Sequence, residues 1–219
     1  MAMENAMSDP QHELQPEGGW AAPARPRLTP PPPSRQGWVF RGLSKLSRLF
    51  GRRELPRVFP VFNIHGRLFW PWLWFASRLM PYGKLPAPLR EVLILRTAWN
   101  CRSRYEWGQH VEIALSVGVD AARIVALSRG PRAVQEPVEA AAVRACDQLC
   151  ADQPIDEDTW HALAARFGEK LLIEMVVLVG HYRMLAGLLV NSGIALEPAM
   201  ESVLVEFNRR ATELLNTEH

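Results

Sequence analysis

Cysteine is scarce, with three in 219 residues. That is too few for a disulfide framework and points to a reducing, cytoplasmic compartment. Long hydrophobic runs are missing too, since no uninterrupted apolar stretch approaches the roughly 20 residues of a spanning helix. The opening MAMENAMSDPQHELQPEGG has neither a basic start nor an apolar stretch, so no secretory signal is expected. Alternation of apolar and polar residues, the mark of half-buried strands, is absent as well. Net charge is only +2 and unevenly placed. Residues 1–57 hold nine basic against five acidic side chains, and residues 58–219 hold 16 against 18. A nucleic-acid binder would spread a basic face over its folded body, so no nucleic-acid partner is expected.

What is present reads as a globular chain, 48% hydrophobic and 22% charged. Residues 1–36 hold eight of the 18 prolines, including Pro30–Pro33, and are expected to be a disordered coil with polyproline character. Residues 37–53, GWVFRGLSKLSRLFGRR, place Val39, Leu43, Leu46, Leu49 and Phe50 at helical spacing opposite Arg41, Lys45, Arg48 and Arg52. This basic amphipathic helix, with its linker to residue 57, is expected to pack on its own domain or on a neighbouring subunit; peripheral membrane contact is the second reading.

Residues 58–219 form the main domain. Its aromatic opening, with Phe59, Phe62, Phe69, Trp70, Trp72, Trp74 and Phe75, reads as core or subunit interface, and Pro71 predicts a break. Pro86 and Pro88 suit the first turn of a helix running through residues 90–99. Further helices are predicted through YEWGQHVEIALSVG up to Gly118, from Asp120 to Gly130, and at about 136–151, 156–167, 169–191 and 198–216. The fold class is all-α.

Glu106 and His110 stand four apart, so a helix puts both on one face. A carboxylate beside an imidazole can orient the ring and support proton transfer near neutral pH. Glu91 sits among apolar neighbours in REVLILRTAW, where desolvation would raise its pKa.

The segment LPAPLREVLILRTAWNCRSRYEWGQHVEIALSVGVDAARIVALSRG resembles the carboxymuconolactone decarboxylase family, which includes the alkylhydroperoxidase D-like proteins. Glu91 on one helix, the block Tyr105, Glu106, Trp107 and His110 on the next, and the helix end before Gly118 carry the likeness. TWHALAARFGEKLLIEMVVLVGHYRMLAGLLVNSGIALEP is similar to the later half of longer members. The resemblance implies an alkylhydroperoxidase D-like helical bundle that assembles as a homo-oligomer, a trimer or hexamer. In the family's peroxidase branch a Cys-x-x-Cys pair precedes the histidine. Those positions fall on Ser103 and Glu106, which cannot cycle a disulfide.

The layout is closer to the decarboxylase branch, which works without metal or organic cofactor. It implies a small carboxylic or lactone substrate, with His110 as proton donor and Glu91 and Glu106 as relay and orienting groups. Tyr105 and Trp107 are the expected substrate contacts from the same block. Arg96 and Arg104, with Arg102 and Arg183 as further choices, are candidates to clamp an anionic substrate through a planar fork.

Cys101 has no partner at Cys-x-x-Cys spacing, and Cys146 and Cys150 lie four apart on one helix, so all three are expected in packing roles. His181 and His65 are expected as hydrogen-bonded core histidines. The leading function is a decarboxylase-like enzyme acting by proton transfer. Thiol-dependent hydroperoxidase activity is the alternative, and a non-catalytic oligomeric scaffold the third.

Overall fold

A computed structural model describes residues 14–37, 40, 42 and 55–217, and the described residues contain no strand. Helices α1 (Val58–Phe62), α2 (Gly66–Leu79), α3 (Ala87–Asn100), α4 (Arg104–Ser116) and α5 (Ala121–Arg129) are followed by α6 (Pro137–Cys150), α7 (Glu157–Ala164), α8 (Glu169–Ser192) and α9 (Pro198–Thr217). The all-α expectation is met.

Local chemistry sets the ends of these helices. Pro86 and Pro88 lie at the start of α3, where a missing amide donor costs nothing. The Asp120 carboxylate accepts from the Arg123 amide at 2.9 Å and caps α5. Asp156 likewise accepts from the Thr159 amide at 2.8 Å at the start of α7. Pro71, where a break was expected, lies inside α2. The bend falls earlier, at His65, whose backbone is not helical and which ends a short 3-10 turn.

Helix α3 is the hub. Every residue from Arg90 to Ala98 is buried, because α4, α5, α6 and α8 surround it. Helix α4 is enclosed similarly, with Tyr105 to Val111 all buried, between α3, α8 and α9. Gly108 helps: a Cβ there would lie 2.5 Å from Leu196 Cδ2, so a larger residue would push the Leu196 side chain aside. Helix α8 has 24 residues and is long and apolar enough to cross a membrane by length and composition. The sequence predicts this helix at about 169–191 without reading it as a span, because Glu174, His181 and Arg183 interrupt the apolar run. It packs on α2, α3, α4, α6 and α7 as a core helix.

Most of the segment 37–53 lies outside the described residues. Phe40 is described, fully buried, with its ring 5.5 Å from that of Phe69 on α2. Residues 14–37 are irregular, as their prolines dictate, but they are not a free tail. The Ala21 amide donates to the Arg102 carbonyl at 2.9 Å and the Arg27 amide to the Ser192 carbonyl at 2.8 Å. The Arg102 side chain donates back to the carbonyls of Gly18 and Gly19. The Trp20 ring packs 5.6 Å from Trp99 and 5.8 Å from Trp107. An indole half-buried against the body outweighs the local preference for open coil.

Candidate active site

Between α1, α2, α4 and α8 lies a cavity of about 500 Å³ with largely apolar walls. Its rings come from Phe59, Trp72, Tyr105, His181 and Tyr182, and its polar groups from Glu106, Gln109 and His110 on successive turns of α4. The volume suits a small molecule.

His110 is 7% exposed and Glu91 is fully buried behind it. His110 Nδ1 lies 2.7 Å from Glu91 Oε2, and Arg90 Nε donates to Glu91 Oε1 at 3.1 Å. Burial opposes ionisation of Glu91, but His110 and Arg90 outweigh it and hold the carboxyl below its ordinary pKa. The desolvated acid expected at Glu91 is therefore corrected. Two hydrogen-bonded partners, the adjacent Arg90 and His110 from the next helix, reverse the effect of burial.

Glu106 shows the opposite behaviour. Its carboxyl lines the cavity, is 2% exposed and has no hydrogen-bond partner at either oxygen. Burial, and then the charge of Cys150, push its pKa well above the ordinary carboxylate value. Burial thus favours the protonated form of Glu106, while Glu91, from the neighbouring helix, is hydrogen-bonded to the imidazole.

Tyr105 also reaches the cavity, but its hydroxyl is engaged. It donates to Glu197 Oε1 at 2.8 Å and accepts from the Val58 amide at 3.2 Å. Glu197, absent from the sequence reading, also accepts from Gln109 and from the Arg57 amide. No short-range spacing marks it, since it meets α4 only through the close approach over Gly108. Burial and the Glu197 charge push the Tyr105 phenol up. Burial, and then the nearby Glu91 charge, do the same to Tyr182. Both phenols stay protonated.

His181 is a cavity-wall residue without a hydrogen bond to a described residue, rather than the bonded core histidine expected. Its ring lies 6.1 Å from Trp72, nearly parallel. Burial lowers its pKa to about 4, so it is neutral near pH 7. His65 is exposed at the end of its turn.

The remaining expected contacts lie elsewhere. Trp107 is fully buried among Trp20, Trp99 and Phe207 and does not line the cavity. Arg96 holds Asp147 through two nitrogens, at 2.5 and 2.9 Å, and donates to the Leu127 carbonyl. Arg104 pairs with Glu201 at 2.6 and 2.9 Å, and Arg183 with Asp152 at 2.9 Å. Arg102 holds Gly18 and Gly19. Among the described residues, no arginine or lysine lines the cavity; the four guanidiniums expected as a clamp instead secure helix and loop ends.

The three cysteines, expected as separate packing residues, come together. Cys101 ends α3, while Cys146 and Cys150 occupy the last turns of α6. Cys101 and Cys146 both lie near enough to Cys150 to lower its thiol pKa. The long separation along the chain hid this cluster. Among the described residues, no three His, Cys, Asp or Glu side chains are arranged to hold a metal ion.

Residues 67–148 match the sequence model of the carboxymuconolactone decarboxylase family, as the resemblance predicted. Two solved structures share the fold. The debrominase Bmp8, as a variant in complex with 2,3,4-tribromopyrrole, aligns over 84% of this chain and 98% of its own, at 15% identity and a TM-score of 0.69. The unliganded debrominase aligns over 82% and 97%, at 15% identity and a TM-score of 0.68. A search of the curated proteins finds no match.

Proposed function

We propose that this chain, whose residues 67–148 match the carboxymuconolactone decarboxylase family, is an enzyme that moves a proton at a carbon next to a carbonyl. Its substrate is a small, ring-containing lactone or carboxylic compound. One observation carries the reading: His110, tied through Nδ1 to Glu91, lines the same apolar cavity as the unpartnered carboxyl of Glu106.

In that arrangement Nδ1–H donates to the Glu91 carboxylate, which fixes the tautomer and leaves Nε2 to exchange a proton with substrate. Glu106 keeps its own proton and donates a hydrogen bond to the enolate-like oxygen that appears when a carbon–hydrogen or carbon–carboxylate bond breaks. His110 and Glu106 are the catalytic residues of this proposal, and Glu91 is a positioning residue. The apolar walls exclude water, which strengthens both interactions. The debrominase complex holds a small aromatic ring, and a ring of that size suits the walls formed here by Phe59, Trp72 and His181.

The proposal extends to assembly as a homo-oligomer in the cytoplasm. Ile173, Val176, Val177 and Met184 leave an apolar stripe exposed along α8, and Trp74 is 66% exposed on α2. A second copy covering this face would remove the stripe from water. Light scattering on the full chain reads the assembly directly, and a monomer at micromolar concentration refutes this part.

Activity is tested by incubating the protein in D₂O with a panel of enolisable lactones and cyclic ketones and following carbon-bound deuterium by mass spectrometry. At least one compound should exchange, and His110→Ala should slow it by about 10²-fold or more. Undiminished exchange by the variant would refute the mechanism.

A further inference from the structure

Gln109 lines the cavity but has no part in the proton transfer. We propose that it selects substrates carrying a hydroxyl or N–H group on the ring, with Glu197 as the positioning residue that sets the direction of its amide. This rests on the cavity being the substrate site, and it names the class of substrate within that reading.

Gln109 lies between Glu106 and His110 on the buried face of α4 and is 7% exposed. Its Nε2 donates to Glu197 Oε2. A side-chain amide has a donor end and an acceptor end, whereas a carboxylate only accepts. Glu197 therefore decides the orientation. The NH₂ end faces the carboxylate, and Oε1 is left to meet a ligand. Among the described residues, none donates to that oxygen.

Glu197 itself is held from several sides. Its Oε1 accepts from the Tyr105 hydroxyl at 2.8 Å and from the Arg57 amide at 2.5 Å. Its backbone carbonyl accepts from the Met200 and Glu201 amides, both at 2.9 Å, at the start of α9. The Arg57 side chain ties down the two preceding residues, donating to the Ala195 and Leu196 carbonyls at 3.2 and 3.3 Å. Glu197 is only 5% exposed, and both of its carboxylate oxygens are engaged. Turning the Gln109 amide round would press its oxygen against a buried carboxylate with no proton between them.

This fixed acceptor discriminates among rings. A hydroxyl or N–H that leaves water for apolar walls loses a hydrogen bond and regains one at Gln109 Oε1. A ring whose polar atom only accepts finds no partner there. Glu106 serves the reacting oxygen, so Gln109 reads a second substituent.

The test measures binding of phenol, toluene and benzaldehyde to the full chain by calorimetry at pH 7. It needs no turnover, so its failure is distinct from a failure of deuterium exchange. Toluene, which makes no hydrogen bond, reports whether the cavity keeps its shape. Gln109→Leu removes the acceptor and should weaken phenol relative to toluene by about fivefold or more. In Glu197→Gln the oxygen keeps the Tyr105 hydroxyl and the Arg57 amide, while the new NH₂ takes the place of Oε2. Gln109 then turns to offer that group its oxygen, and the cavity meets a donor instead. The ratio of phenol to benzaldehyde affinity should fall by about fivefold or more, with toluene unchanged. A carboxylate that only held the loop would weaken all three probes together. That outcome, or a phenol-to-benzaldehyde ratio equal in the wild type and both variants, would overturn the proposal.

Discussion

His110 Nδ1 and Glu91 Oε2 lie 2.7 Å apart across the packed faces of α4 and α3, out of contact with bulk water. The pair couples the chemistry of the cavity to the stability of the hub helix. Removing the carboxylate leaves Arg90 and His110 buried around an empty acceptor. Glu91→Ala is therefore expected to lose about 3 kcal/mol in urea denaturation at pH 7. Because the folded-state pKa of Glu91 is lowered, the stabilisation is complete above the unfolded carboxylate range. It disappears as pH falls through the lowered value. The gap in Tm between wild type and Glu91→Gln should thus narrow below about pH 4. A gap independent of pH would show that Glu91 is not ionised in the folded protein.

Glu106 predicts the reverse. Its pKa is raised in the folded state, so the native protein binds a proton that the unfolded chain releases above the ordinary carboxylate range. Stability attributable to this group falls as pH rises from that range toward the raised value. Glu106→Gln removes the titration while keeping the shape. Relative to wild type, the variant should gain Tm steadily between pH 5 and pH 8. A constant difference across that interval would place Glu106 in contact with water or with an unseen partner.

The two carboxylates show what a sequence can carry. Spacing puts Glu106 and His110 on one face of α4, and the structure bears that out, because a helical period is a local property. Which acid orients the imidazole is decided by the packing of α3 against α4, which no local pattern encodes. The arginines failed as substrate candidates for a related reason. Arg96, Arg104 and Arg183 meet partners between 31 and 97 residues away. Glu197 was invisible for the same cause. Helix ends at Asp120, Asp156 and Pro86 were legible, since a cap acts within three residues.

Arg96 gives a direct check on that correction. Its fork on Asp147 and its bond to the Leu127 carbonyl join α3 to α6 and to the end of α5. Arg96→Met should cost about 2 kcal/mol through the lost guanidinium on Asp147, which keeps only Asn100 as a side-chain donor at 2.7 Å, and through the lost carbonyl partner. It should leave cavity binding unchanged, because the side chain is not on the cavity wall. Calorimetric unfolding reads the first effect, and the affinity of a neutral aromatic probe such as toluene reads the second. Stability preserved together with lost binding would restore the substrate-clamp role.

The walls of the cavity also determine which ligand charge it accepts. Among the described residues neither Arg nor Lys lines it, the neighbouring His181 is neutral near pH 7, and Glu91 takes one ring nitrogen of His110. An anion entering such a site gives up hydration with a single imidazole nitrogen and the neutral Glu106 to replace it, whereas an uncharged ring gives up little. At pH 7 toluene should therefore raise the Tm more than equimolar benzoate, and the benzoate effect should grow as pH falls toward the benzoic acid pKa. Glu106→Gln should narrow the preference for toluene little, since both side chains are uncharged. Tighter binding of benzoate at pH 7 would mean that a cationic group closes over the cavity, and the substrate would then be an acid held by its carboxylate.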